Sequence, residues 1–146
     1  MGKRRQPPRL QKYFRLALLI PFYLEPVMSL TSFIEKIKNN AAVSFDETIA
    51  VIAENYHYQP TEFSNGLGEH ALINQAGTNE GSCKIFSFAR INRLDQQQTL
   101  SLFGGYYRDV LNDPQGTGHQ NIRNFMQYGW DGVHFKGMAL TAKTPL

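Results

Sequence analysis

The sequence predicts an α+β fold: a mainly helical single domain with a few short antiparallel strands. Three observations carry this prediction. The chain of 146 residues suits one domain, and its 42% hydrophobic content, with ten Phe and seven Tyr, suits a packed core. Apolar residues recur at helical spacing in several segments, whereas only two short segments alternate as strands do. Gly, Pro and Asn clusters punctuate the chain between these segments.

Two amphipathic helices are predicted near the start of the domain. The first has apolar residues at i, i+3, i+4, i+7 and i+11, namely Leu30, Phe33, Ile34, Ile37 and Ala41. The second follows Ser44 and Glu47, which match a capping box, in which each residue hydrogen-bonds the backbone amide of the other. This helix is expected to run to about Asn55.

The two alternating segments lie far apart in the sequence. The segment from Tyr56 to Phe63 alternates and contains a proline, which is typical of a short edge strand. Val133 and Phe135 alternate with polar neighbours and predict a second short strand. The two segments could pair as a small antiparallel ribbon, although no sequence feature demonstrates it.

The segment CKIFSFARI, residues 83–91, is apolar at most positions and is compatible with a buried helix or a buried strand. We favour a helix, because Leu94 extends the segment beyond the usual length of a strand. Asp95, with Gln98 three residues later, then predicts the cap of a helix that ends near Asn112. Its apolar face comprises Leu100, Phe103, Tyr107, Val110 and Leu111.

Two glycines interrupt that helix, at an expected cost of roughly 1 kcal/mol each relative to alanine. Because the sequence tolerates this cost at Gly104 and Gly105, we expect another part of the backbone to approach closely there. A loop at residues 113–118 follows, and then a short helix containing Ile122 and Phe125. Gly129 is expected to end that helix.

Residues 1–27 differ from the rest and are predicted to lie outside the domain, which we place at 28–146. They carry six Lys or Arg against one Glu, and end in an apolar run that Pro21 interrupts. A start displaced upstream of Met28, a signal or targeting segment, and a structural arm remain open as interpretations. The apolar run is too short to span a membrane, which takes roughly 20 residues.

The charge balance argues against a nucleic-acid partner. Residues 28–146 carry nine Lys or Arg and eleven Asp or Glu, so the domain is mildly acidic although the whole chain is basic. Cys83 is the one cysteine and predicts no internal disulfide. The four His are scattered, so no metal site or cofactor is expected. Stable membrane insertion of the domain is not expected either.

Three residues are candidates for catalysis. Cys83 could act as a nucleophile if a helix N-terminus lowers its pKa, with His119 as the base if the fold brings it close. Glu80 offers a carboxylate on a glycine-flanked loop. Each has a structural alternative: a buried small residue for Cys83, a surface histidine for His119, and a helix start capped by Thr78 for Glu80.

A second set of residues is suited to ligand binding. Asn79 could present its amide to a polar ligand from the loop that also carries Glu80. Gly116, Gly118 and Arg123 could form an anion site, because backbone amides at a helix N-terminus attract carboxylate or phosphate. The alternative for this segment is a capped, solvated loop. The Walker pattern GxxxxGK[ST] is absent from it.

The chain resembles the HopJ family through GTNEGSCKIFSFARIN at 77–92, LFGGYYRDVLNDPQGTGHQNIRNFM at 102–126 and GWDGVHF at 129–135. The resemblance extends over residues 28–135. It implies the label of a bacterial type III effector, with no catalytic residues to carry over.

We therefore expect a soluble cytoplasmic protein that binds an unknown protein or small molecule. The alternatives are a small enzyme with a polar pocket around residues 77–84 and 116–123, and an effector secreted into a host cell.

Overall fold

The structure, a computed structural model, describes residues 28–144. The predicted extension at residues 1–27 lies outside the described residues. The helices are α1 (Leu30–Lys38), α2 (Phe45–Asn55), α3 (Glu80–Ile91), α4 (Gln96–Ser101), α5 (Gly105–Leu111) and α6 (Gln120–Tyr128). The strands are β1 (Tyr56–Tyr58), β2 (Phe63–Asn65), β3 (Leu72–Asn74), β4 (Val133–Phe135) and β5 (Leu140–Ala142). This arrangement confirms the predicted mainly helical α+β domain.

The strands form two small antiparallel sheets. One pairs β1 with β5, and the other has the order β3-β2-β4. Only the last residue of the first predicted segment pairs with the second, with Phe63 opposite Phe135, whereas Tyr56–Tyr58 pair with β5 instead. Strands β3 and β5 were not predicted, because three residues are too few for an alternation to stand out.

The predicted helix starts are confirmed where a side chain caps the helix. Ser44 and Glu47 form the capping box of α2, and Asp95 and Gln98 form that of α4. The segment at residues 83–91 is helical, as predicted, within α3. In each capping box, polar side chains satisfy amides that the first helical turn leaves unpaired.

The prediction of one helix from Asp95 to Asn112 is wrong. The chain turns at Gly104, with φ 57° and ψ −124°, and this turn separates α4 from α5. A Cβ atom at Gly104 would lie 2.6 Å from the backbone nitrogen of Phe45. The predicted close backbone contact therefore exists. The helix ends before Gly104 because the backbone at the start of α2 lies against this residue.

The core is built around α3, which is buried along most of its length. The ring of Phe86 is fully buried, and its centroid lies 4.9–6.3 Å from the ring centroids of Phe63, Phe103, Phe125 and Trp130. These contacts connect α3 with β2, with the loop after α4 and with α6. Because each such aromatic pair adds about 0.5–1.5 kcal/mol beyond the area it buries, these contacts hold α3 in place within the core. No helix among residues 28–144 has the length and hydropathy that crossing a membrane requires.

Candidate functional site

A cavity of about 340 Å³ opens between the N-termini of α3 and α6. We call it the α3–α6 cavity. Its polar side comprises Asn79, Gly81 and Ser82 from the start of α3, and His119, Gln120 and Asn121 from the start of α6. Its apolar side comprises Phe45, Leu72, Phe103, Tyr106 and Ile122. The structure thus brings parts of segments 77–84 and 116–123 to one cavity.

Both helices at this cavity begin with a non-glycine residue in the left-handed conformation. Asn79 has φ 49° and ψ 48°, and His119 has φ 58° and ψ 50°. Such backbone angles are uncommon outside glycine and cost about 1 kcal/mol or more. Neither side chain caps its helix, and Thr78 donates to the carbonyl of Gln75. The predicted cap at Thr78 is therefore wrong, and Asn79 occupies that position.

The uncapped helix starts leave backbone amides without partners. Within the part of the chain that the structure describes, no hydrogen bond involves the N–H groups of Gly81, Ser82, Gln120 or Asn121. All four residues line the α3–α6 cavity. The positive ends of two helix dipoles therefore meet at one opening, which favours a negatively charged group there.

Aromatic rings form another part of the cavity wall, next to the helix starts. The rings of Phe45 and Tyr106 meet edge to face with centroids 5.0 Å apart, and the His119 ring lies 5.2 Å from Tyr106. Tyr106 is 44% exposed, so its ring is accessible from solvent. A Cβ atom at Gly81 would lie 2.8 Å from Cζ of Phe45, and the absence of a side chain there lets the ring keep its position.

A buried cluster of asparagine side chains lies behind the cavity, and we call it the asparagine network: Asn65, Asn74, Asn121 and Asn124. Asn74 and Asn121 exchange two hydrogen bonds between their amides, of 2.8 and 3.1 Å. Asn65 donates to Asn121, and Asn124 donates to the carbonyl of Asn65. The network therefore attaches the start of α6 to β2 and β3.

The asparagine network was not predicted from the sequence, although one signal for it was present. Asn121 and Asn124 are adjacent to Ile122 and Phe125 on the buried face of α6. Polar residues on the apolar face of a helix indicate a buried hydrogen-bond network, because an unpaired buried amide costs about 1–3 kcal/mol.

Comparison with known proteins gives the family of the chain. The HopJ type III effector protein family matches residues 30–140. The chain belongs to this family. A crystal structure of the unknown function protein VPA0580 is similar to it, with 45% sequence identity and a TM-score of 0.76. That match covers 81% of this chain and 97% of the other. No curated protein matches the chain.

Two of the candidate catalytic residues of this HopJ-family chain do not line the cavity. Cys83 is 1% exposed, and its Sγ donates to the carbonyl of Thr61 at 3.5 Å. Burial raises the pKa of the Cys83 thiol and also that of the neighbouring Tyr58 phenol, to which Glu80 adds a further upward shift. The thiol is therefore neutral and weakly nucleophilic in the folded chain. Of the three candidates, His119 alone lines the cavity.

Three of the four predicted ligand-binding residues of the HopJ-family chain are divided between two cavities, and the fourth, Gly118, lines neither of them. Asn79 lines the α3–α6 cavity, whereas Gly116 and Arg123 line a neighbouring cavity of about 380 Å³. The Arg123 guanidinium donates to the carbonyls of Gly118 and Asp113, so it organises the loop before α6. Among residues 28–144, His, Cys, Asp and Glu side chains form no group of three suited to a metal ion.

Proposed function

We propose that this HopJ-family chain is a binding module for a small molecule that occupies the α3–α6 cavity. The observation that carries the proposal is the cavity itself, in which two segments distant in sequence meet. Its volume of about 340 Å³ lies in the range of known ligand pockets, about 300–1,000 Å³. Its walls combine an apolar surface with a few convergent polar groups, which is the usual composition of such pockets.

The walls also indicate the class of ligand. The four unpaired amides of Gly81, Ser82, Gln120 and Asn121 favour a carboxylate or phosphate group. The aromatic wall favours an apolar or planar body attached to that group. A small organic anion with an aromatic or aliphatic portion satisfies both walls. Benzoate is the simplest probe with these two parts.

The positions of Cys83 and Glu80 support binding rather than covalent chemistry. The Cys83 thiol is buried and has a raised pKa, and neither Cys83 nor Glu80 lines the cavity. A nucleophile must reach its substrate and must be activated, usually by a lowered pKa. His119 lines the cavity, but Cys83 and Glu80 do not, so these three residues do not form one catalytic group there. A contact between the His119 ring and a bound anion is consistent with binding alone.

A titration followed by NMR tests the proposal. We expect benzoate to shift the amide signals of Gly81, Ser82, Gln120 and Asn121, with saturation in the millimolar range or below. Benzamide has the same ring without the charge, and we expect it to bind at least tenfold more weakly. Shifts of equal size with both compounds would contradict the anionic class. An absence of shifts with benzoate, phosphate and aliphatic carboxylates would contradict the binding function.

A pair of glycine variants separates the cavity from the fold. Gly81→Ala places a methyl group 2.8 Å from Cζ of Phe45, so the ring must shift and the cavity wall changes shape. We expect about a tenfold loss of benzoate affinity, with thermal stability nearly unchanged because the gain of about 1 kcal/mol from alanine in a helix offsets the strain at Phe45. Gly137→Ala is the matched control, since its nearest neighbour is the Thr61 methyl at 3.7 Å. Equal benzoate affinity in the two variants would contradict the assignment of the cavity.

The family match favours a second function, delivery into a host cell as a type III effector. The alternative location is the bacterial cytoplasm, where the chain would bind its ligand in the cell that makes it. Export assays distinguish the two locations. Forms that begin at Met1 and at Met28 are fused to a reporter and expressed in cells with and without a working type III apparatus. Export of either form only in the presence of the apparatus would establish the effector function, and retention of both would support the cytoplasmic one.

A further inference from the structure

The two polar walls of the α3–α6 cavity are joined by a single atom outside the cavity. Asn79 Nδ2 donates to Asn74 Oδ1 at 2.7 Å, and Asn121 Nδ2 donates to the same oxygen at 2.8 Å. Asn79 begins one wall and Asn121 belongs to the other. Asn74 itself does not line the cavity and is 1% exposed.

The Asn74 amide is held in a defined orientation. Its nitrogen donates to Asn121 Oδ1 at 3.1 Å and to the carbonyls of Leu72 and Phe63 at 3.3 and 3.4 Å. The oxygen must then face Asn79 and Asn121, because a rotated amide would direct an N–H group at two other N–H groups. In a buried site, such unmatched donors cost more than in water. The strand β3 therefore determines where this oxygen lies.

The bond to Asn79 also explains a strained backbone. Asn79 adopts φ 49°, and its side chain is directed away from its own helix by the bond to Asn74. A left-handed non-glycine residue persists where the surrounding contacts require it. Because the Asn79 side chain is bonded to Asn74, it does not cap the amides that the first turn of α3 leaves unpaired. Asn74 thus influences the cavity without touching a ligand.

We propose that Asn74 is the positioning residue of the α3–α6 cavity, whose side-chain oxygen sets the spacing between its two polar walls. The expected effect on ligand binding rests on the proposed function. The effect of Asn74 on the spacing of the two walls does not depend on any ligand. The spacing of the walls decides whether one anion can contact amides of both helices at once, since displacements of about 1 Å weaken such contacts strongly.

The experiment compares Asn74→Leu with Thr48→Val. Leucine has a similar size and no amide, so both walls lose their common partner. Thr48 is fully buried and donates to the carbonyl of Leu102 at 2.9 Å, so its variant also loses a buried tertiary hydrogen bond, at residues that do not line the cavity. We expect Asn74→Leu to weaken benzoate binding about tenfold and Thr48→Val to leave it within twofold.

Crystal structures of both variants give a measurement that does not require a ligand. We expect the separation of the residue 79 and residue 121 Cα atoms to change by about 1 Å in Asn74→Leu and to stay unchanged in Thr48→Val. An unchanged separation in Asn74→Leu would overturn the inference, as would equal losses of affinity in the two variants. A changed separation in a protein whose native form does not bind benzoate would reject the proposed ligand and keep the positioning role.

If Asn74→Leu does not fold, a less disruptive variant, Asn79→Ala, tests the same inference. Asn79→Ala changes an exposed residue and removes one of the two bonds to Asn74 Oδ1. We expect residues 79–82 to move and residues 120–122 to stay in place, with weaker benzoate binding. A wild-type backbone at residue 79 in this variant would show that Asn74 does not hold that wall.

Discussion

Ser82 and Cys83 are neighbours in α3 but belong to different regions of the molecule. Ser82 lines the α3–α6 cavity and is half-buried, whereas Cys83 is 1% exposed and contacts Thr61 on another face of the helix. Successive residues of an α-helix point about 100° apart, so one step along the chain moves a side chain from one region to the other. Chemical reactivity judged from residue type alone does not distinguish these two positions.

The same substitution at the two positions should have opposite effects. Cys83→Asp places a carboxylate in a buried site beside the carbonyl of Thr61, and we expect a loss of about 4 kcal/mol in the free energy of unfolding, or no folded protein. Ser82→Asp places it in the first turn of α3, where the helix dipole favours a negative charge, and we expect a change within about 0.5 kcal/mol. Urea denaturation measures both values.

The benzoate affinity of Ser82→Asp is a second measurement on this pair of variants. Because the carboxylate introduced by Ser82→Asp would repel an anion from the cavity, we expect this variant to lose benzoate binding while it keeps its stability. Similar destabilisation by the two substitutions would show that the regions do not differ as the structure indicates. Full benzoate binding by Ser82→Asp would remove Ser82 from the ligand site.

The fold should also become less stable at alkaline pH, because of the Cys83 thiol and the neighbouring Tyr58 phenol. Burial raises the pKa of Cys83 above its ordinary value of 9.0 and that of Tyr58 above 10.0. The unfolded chain therefore loses these protons at lower pH than the folded chain does. The stabilisation is fully present below pH 9 and is lost as the pH rises further. The urea midpoint should thus fall between pH 9 and 11.

A double variant isolates the contribution of those two groups. Tyr58→Phe combined with Cys83→Ala has no titratable group at either position, and other alkaline effects remain the same. We expect a flatter dependence of the urea midpoint on pH than in the native chain. Parallel curves for the two proteins would contradict the raised pKa values.

The smallest expected effect belongs to Cys83→Ala alone. Removing one buried sulfur leaves a small cavity, and we expect a loss of about 1 kcal/mol. Benzoate binding should be unchanged, because Cys83 does not line the α3–α6 cavity. A loss of binding beyond threefold in this folded variant would link the thiol to the site and revive the enzyme hypothesis.

Local rules predicted much of the fold because the relevant signals lie within a few residues. The capping boxes at Ser44 and Asp95 and the apolar spacing of α1 and α2 are of this kind. The break at Gly104 was not predictable as a break, since it depends on the backbone of Phe45, which lies 59 residues earlier. The glycine pair indicated a close contact but not its geometry.

The site was less accessible to sequence analysis than the fold. Glycine-flanked loops indicated the segments near Asn79 and His119, yet their convergence depends on the packing of α3 against α6 around Phe86. The only local signal for the left-handed conformations of Asn79 and His119 is their residue type, because asparagine and histidine adopt such angles more often than most residues. The role of Asn74 depends on contacts across 5 and 47 residues, so a pattern of neighbours does not contain it.

A crystal of the native chain soaked with 4-bromobenzoate tests the central claim most directly, because the anomalous signal of bromine locates the probe. We predict a bromine peak beside the aromatic wall formed by Phe45 and Tyr106, with the carboxylate within hydrogen-bonding distance of amides from both α3 and α6. A peak only in another cavity, or a carboxylate that contacts neither helix start, would contradict the account.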